Sequence, residues 1–150
     1  MDKITLKWKK ISSLAQIPVK ATDGAAAFDL CAATEEPLLL KSNTVLAVPT
    51  GLCVEIPEGY EMQIRARSGL AFKQGIGLVN GVGTIDCDYR GELKILLIKW
   101  TAGDFSIQPG DRIAQALIAP VWQVEHLVSE ELSSTERGAG GFGSTGVKSL

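Results

Sequence analysis

"PLLLKSNTVLAVPTGLCVEIPEGYEMQIRARSG", residues 37–69, decides the fold class. It is a series of short apolar or alternating runs cut at Lys41–Asn43, Pro49–Gly51 and Pro57–Gly59. Proline and glycine pairs of this kind punctuate strands, and no run between them is long enough to show a 3.6-residue period. The same rhythm continues downstream. "GELKILLIKW" (91–100) reads as a buried strand, "TAGD" (101–104) as a turn, and "FSIQPGDRIAQALIAPVWQVE" (105–125) as two strands around Pro109–Asp111. Turn signals recurring about every 8–12 residues are the pattern of an all-β sandwich or barrel. The one helical candidate is "SGLAFKQG" (68–75), a short turn of helix ending at Gly75. A β domain this small leaves strand edges to cover, and assembly with further copies is one way to cover them.

The chain has 150 residues, enough for one domain that buries roughly two thirds of its unfolded surface. Apolar residues make up 45% and charged residues 21%, ordinary for a soluble globular protein. A net charge of −2 gives no electrostatic case for a nucleic-acid polymer as partner, so an anionic ligand has to be held by a few placed arginines. Cys31, Cys53 and Cys87 are odd in number and far apart, which argues against a disulfide framework or a zinc site. The single His126 removes histidine-cluster metal sites, and its run "VWQVEHLVSEE" (121–131) reads as strand-like. The N-terminal "MDKITLKWKKISSLAQ" lacks the apolar core of a signal peptide, and no stretch reaches the length of a membrane span. The expected location is cytoplasmic, with a nuclear or organellar one left open.

Five segments break the apolar rhythm with groups a core would not choose. "GAAAFDLCAA" (24–33) sets Asp29 among small apolar residues, where a carboxylate needs a partner or a metal unless it caps a turn. "RARSGLA" (65–71) places Arg67, Ser68 and Gly69 where the helix begins, as an anion site or as a cap with a surface arginine. "GDRIAQALI" (110–118) holds Gln115, able to donate to a phosphate oxygen or, more commonly, to a backbone carbonyl. "VNGVGTIDCDYRGELKI" (79–95) reads as two β arms flanking a turn near Tyr89–Gly91, with Asp86 and Asp88 on one face. One of those acids could serve as general base on a water, or both could sit in a solvated hairpin. "RGAGGFGSTG" (137–146) fits G-x-G-x-x-G, but it lacks a buried strand before it and room for a helix after it. It is either a plain glycine tail or, given Arg137, Phe142, Ser144 and Thr145, a flap for a phosphorylated, ring-bearing ligand.

Taken in order, "AAAFDL", "RARSGLA", "GVGTIDCDYRGEL", "GDRIAQALI" and "RGAGGFGSTG" resemble the five motifs of the trimeric deoxyuridine triphosphate nucleotidohydrolases, the dUTPases. The resemblance spans about residues 17 to 146. It implies a jelly-roll-like β-barrel with one short helix, assembled as a homotrimer whose active sites lie between subunits. Residues 1–132 would form the barrel, and 133–150 a flexible arm completing a neighbour's site. The implied reaction is hydrolysis of dUTP to dUMP and pyrophosphate, by in-line attack of water on the α-phosphorus. By the same match Asp86 is the general base, and Asp29 positions Mg²⁺ through its water shell. Arg67, Ser68, Gly69 and Gln115 bind phosphates, Arg137, Ser144 and Thr145 add γ-phosphate contacts from the arm, and Gly143 of the arm is a further substrate-binding residue. Asn80 and the backbone around Gly83, Thr84 and Ile85 and at Leu93–Lys94 face the uracil edge. Tyr89 packs on deoxyribose and excludes a 2′-hydroxyl, and Phe142 stacks on the base.

The chain departs from the family's usual pattern at Ala27 and Phe28, at Ala66, and at Thr84 in the hairpin. None of these is a proposed acid, base or phosphate ligand. Two rival readings remain. The dCTP deaminases share this fold but need a glutamate where Leu96 stands. A dUTPase-fold nucleotide-binding or regulatory protein without turnover would keep the pocket and lose the reaction, yet Asp86, Tyr89 and Arg137 are all present.

Overall fold

A computed structural model describes residues 3–142. Eleven strands and one helix follow in the order β1 (Lys7–Lys10), β2 (Phe28–Cys31), β3 (Leu38–Leu40), β4 (Val45–Pro49), β5 (Leu52–Glu55), β6 (Tyr60–Arg65), α1 (Ser68–Gln74), β7 (Ile76–Leu78), β8 (Gly83–Ile85), β9 (Lys94–Lys99), β10 (Phe105–Ile107) and β11 (Arg112–Pro120). Strands break where the turn residues demand it. Asn43, Gly51 and Gly59, one at each expected interruption, all have positive φ.

All pairings are antiparallel. The larger sheets run β2-β11-β6-β8 and β4-β9-β7, and two-stranded sheets join β1 to β5 and β10 to β3. Alternate residues of the two larger sheets meet in one core. Leu30, Met62, Ile64, Ala114 and Ala116 come from the first sheet, and Val48, Ile76, Leu78, Ile95 and Leu97 from the second. In β9 the alternation is clean: Ile95, Leu97 and Lys99 are buried, while Lys94 and Leu96 are exposed.

The expected all-β fold with one short helix is therefore present, with three corrections. Strand pairing does not close into a continuous barrel among the described residues, because the ladders end in four separate sheets. The two arms flanking Tyr89–Gly91 do not form a hairpin: β8 pairs with β6, whereas β9 pairs with β4 and β7. Asp86 and Asp88 consequently sit in a turn, where the two-residue alternation of a strand does not operate. Finally, "VWQVE" is not a strand. Among the described residues regular structure ends at Pro120, and residues 121–142 contain only turns, a bend and coil, with His126 exposed. No described helix is long and apolar enough to cross a membrane.

Candidate active site

Register across the larger sheet builds the first half of the site. On β11, Gln115 lies opposite Asp29 of β2 on one side and Arg65 of β6 on the other. Cross-strand partners share a face of the sheet, so three polar side chains stand in one row. The row forms part of a cavity of about 470 Å³, lined also by Arg67, Ser68, Gly69, Arg112 and the small residues Ala25, Ala26 and Ala27.

Asp29 has the partners its surroundings require. Its Oδ1 lies 2.9 Å from Arg67 Nε, and its Oδ2 accepts from Arg112 Nη1 at 3.3 Å. Arg67 Nη1 also donates to the carbonyl of Arg112 at 2.9 Å. Both the Asp29 and Arg67 side chains are mostly shielded, at 20% and 27% exposure. Three guanidiniums against one carboxylate leave this cavity with an excess of positive charge, chemistry suited to an anion. The same carboxylate acts on Cys31: burial first, and Asp29 second, push its thiol above the ordinary cysteine value, while Arg112 and Arg67 pull the other way.

Gln115 takes the commoner of its two expected uses, donating from Nε2 to the Ala66 carbonyl at 2.8 Å. That bond secures the turn between β6 and α1. Arg67 is the N-cap residue, in an extended conformation and without a side-chain cap bond, while Ser68 and Gly69 are the first, exposed residues of α1. Arg65 and Arg112 are absent from the sequence-derived set. Arg112 was readable: it lies in the same "GDRIAQALI" segment as Gln115, at the irregularity between Arg112 and Ala114 where β11 shifts register against β2.

The second half lies where β8 and β9 part. Thr84, Ile85, Asp86, Tyr89, Glu92, Lys94 and Leu96 line a pocket of about 490 Å³. β8 is the last strand of its sheet, and β7 pairs only with Leu97–Lys99 of β9. Backbone donors and acceptors on two strand edges are thus left for something other than a strand. Asp86 opens a tight turn in which the Tyr89 amide donates to its carbonyl at 3.1 Å. The Tyr89 hydroxyl donates to the Glu92 carbonyl at 3.1 Å, laying the ring across Gly91. Glu92, which sequence reasoning missed, is held by the Gly51 amide at 3.0 Å, and the adjoining Leu93 amide donates to the Leu52 carbonyl at 2.8 Å. Asn80 and Gly83 adjoin this pocket without lining it: Asn80 is exposed in the turn before β8.

The two cavities share no lining residue. Arg137 and Phe142 line neither of them: Arg137 Nε donates to the Gly140 carbonyl at 2.8 Å, and Phe142 is fully exposed. Gly143, Ser144 and Thr145 lie outside the described residues. No group of three or more His, Cys, Asp or Glu side chains among the described residues could cage a metal ion.

Residues 14–146 match the dUTPase family model. The deoxyuridine 5′-triphosphate nucleotidohydrolase of Treponema denticola is 54% identical over 92% of this chain and 96% of its own length. That of Nautilia profundicola is 55% identical over 94% and 98%. Among solved structures, a dUTPase of Staphylococcus bacteriophage 80alpha with dUpNHpp superposes with a TM-score of 0.85 at 30% identity, covering 95% of this chain and 99% of its own. A dUTPase from phage phi11, described with a structural Mg(II) ion, superposes at 0.77 with 26% identity over 85% and 97%. The chain belongs to the dUTPase family.

Proposed function

We propose that the chain is a dUTP diphosphatase, hydrolysing dUTP to dUMP and pyrophosphate as a homotrimer. The observation that carries this reading is the pairing of an arginine-lined anion cavity with a pocket of free strand edges that bears Asp86. A triphosphate suits the first, and the hydrogen-bonding edge of a pyrimidine suits the second. Because the cavities share no residue, one from each of two neighbouring copies would make a whole site. The arm at 133–150 would then supply Arg137, Phe142, Gly143, Ser144 and Thr145.

In that site Arg67, Ser68, Gly69 and Gln115 hold the phosphates, and Arg65 and Arg112 add positive charge to the same wall. Asn80 and the backbone of Gly83, Thr84, Ile85, Leu93 and Lys94 face the uracil. Tyr89 closes against the deoxyribose. Asp86 takes a proton from water as its oxygen attacks the α-phosphorus in line. The bond from that phosphorus to the bridging oxygen breaks, and pyrophosphate leaves towards the arginines.

The donor set fits Mg²⁺ only in a supporting way. Among the described residues Asp29 is the one carboxylate lining the anion cavity; its Oδ2 accepts from Arg112, and its Oδ1 is ion-paired with Arg67. Each oxygen has a second lone pair for a metal-bound water, and the triphosphate would supply the direct ligands. Held there, Mg²⁺ would supply neutralisation of the phosphate charge.

The test is incubation of the protein with Mg²⁺ and dUTP, dCTP, dTTP or UTP in turn, with Asp86→Asn alongside. Turnover of dUTP alone, lost in the variant, supports the reading. Ammonia released from dCTP would mean deaminase chemistry despite Leu96. Binding of dUTP without turnover would make the chain a nucleotide-binding or regulatory protein.

A further inference from the structure

Lys99, at the end of β9, is buried at 3% exposure, and no carboxylate pairs with it among the described residues. Its Nζ donates to the carbonyl of Gln74 and to Thr101 Oγ1, both at 2.6 Å, and Thr101 Oγ1 donates on to the same carbonyl at 2.8 Å. Gln74 is the last residue of α1, where carbonyls have no partner within the helix and the helix dipole is negative. Packing alone would be served better by an apolar side chain, because burying an ammonium is costly. What Lys99 adds is a pair of directed hydrogen bonds.

The helix needs them. None of its residues is buried, Phe72 is 92% exposed, and Leu70 is only partly packed on the core. Its own faces therefore do little to hold it. Polar anchors hold its two ends instead. At the front, Arg67 is tied to Asp29. At the rear, Gly75 turns the chain at φ 61°, its carbonyl accepts from the Trp100 amide at 2.9 Å, and it lies against Thr101 so closely that an added Cβ would sit 2.6 Å from Oγ1. We propose that Lys99 is a positioning residue for the phosphate side of the site: with Thr101 it fixes the rear of α1 and so the placement of Ser68 and Gly69, which line the anion cavity. The inference rests on the dUTPase reading of that cavity.

The experiment compares wild type with Lys99→Met, Lys99→Arg and Thr101→Val. It measures kcat and KM for dUTP, inhibition constants for pyrophosphate and for deoxyuridine, and thermal unfolding. Loss of the rear anchor should raise KM for dUTP and the pyrophosphate constant about tenfold in Lys99→Met and about threefold in Thr101→Val, the scale of one or two lost hydrogen bonds. Deoxyuridine inhibition and kcat should change little, and Lys99→Arg should recover most of the loss. Folded variants with unchanged pyrophosphate affinity, or with pyrophosphate and deoxyuridine weakened together, would overturn the proposal. If Lys99→Met does not fold, Thr101→Val decides by the same split. If wild type turns over no dUTP, the proposed function fails, and the pyrophosphate comparison still tests Lys99.

Discussion

Gly91→Ala should loosen the sugar specificity of the site while leaving the fold intact. The Tyr89 ring lies across Gly91, so an added Cβ would sit 2.5 Å from Tyr89 Cζ and 3.0 Å from Cε2. Tyr89 closes the Asp86 turn and Gly91 follows in a bend whose far end is fixed through Glu92 and Leu93, so the ring has to move. Moving it breaks the 3.1 Å bond from the Tyr89 hydroxyl to the Glu92 carbonyl. That bond belongs to a ring 43% exposed, so its loss costs about 0.5–1 kcal/mol. Lost ring contact adds about as much, and the stiffer unfolded chain returns about 0.5 kcal/mol. The net cost of about 1 kcal/mol lowers the melting temperature by only about 2–4 °C in a chain of this size. The effect on specificity should be larger in proportion. If Tyr89 closes on the deoxyribose as proposed, its displacement should raise kcat/KM for UTP about tenfold relative to dUTP. Tyr89→Phe keeps the ring and removes only the hydrogen bond, so its ratio should move by about threefold or less. Paired steady-state assays on the two nucleotides, with thermal unfolding as control, read both quantities. A folded Gly91→Ala protein that discriminates as wild type does would refute the reasoning.

Two further outcomes follow from the anion cavity. Asp29→Ala leaves the mostly shielded Arg67 without its carboxylate, and should cost about 1–2 kcal/mol of stability after allowance for solvent screening, read by guanidinium unfolding. Asp29→Asn, which keeps one acceptor oxygen, should lose less. Burial and the Asp29 carboxylate both hold the Cys31 proton on, so Cys31 becomes a thiolate at higher pH than an ordinary cysteine. Iodoacetamide labelling of Cys31, followed by peptide mass spectrometry across pH 7–10, should therefore rise late. In Asp29→Asn the curve should shift to lower pH, because the neighbouring negative charge is gone.

Much of the fold was readable because local chemistry dictates it. The interruptions at Lys41–Asn43, Pro49–Gly51 and Pro57–Gly59 coincide with positive-φ residues, and Gly75 ends α1 as the helix candidate required. Pairing was not readable in the same way. "VNGVGTIDCDYRGELKI" shows two apolar arms and a turn, but alternation cannot say which distant strand each arm joins. β8 and β9 find partners in different sheets, and the gap between them becomes a pocket that no hairpin would leave. "VWQVE" misled for a related reason: an alternating run becomes a strand only if an edge and an apolar face receive it, and residues 121–125 are exposed. At the site, Asp29, Arg67, Ser68, Gly69 and Gln115, all singled out from the sequence, line one cavity. Arg65 joins them through register across three strands, a relation that no linear motif displays, whereas Arg112 stood within the "GDRIAQALI" segment. Lys99 was hidden differently, since a lysine at the end of an apolar strand reads as a surface residue until its partners are seen.

Hydrolysis of dUTP in ¹⁸O-labelled water, with the products resolved by mass spectrometry, tests most directly whether water guided by Asp86 attacks the α-phosphorus. Attack at that atom places the label in dUMP and leaves pyrophosphate unlabelled, with the signal lost in Asp86→Asn. Label in pyrophosphate, or undiminished labelling of dUMP in the variant, would contradict the assignment.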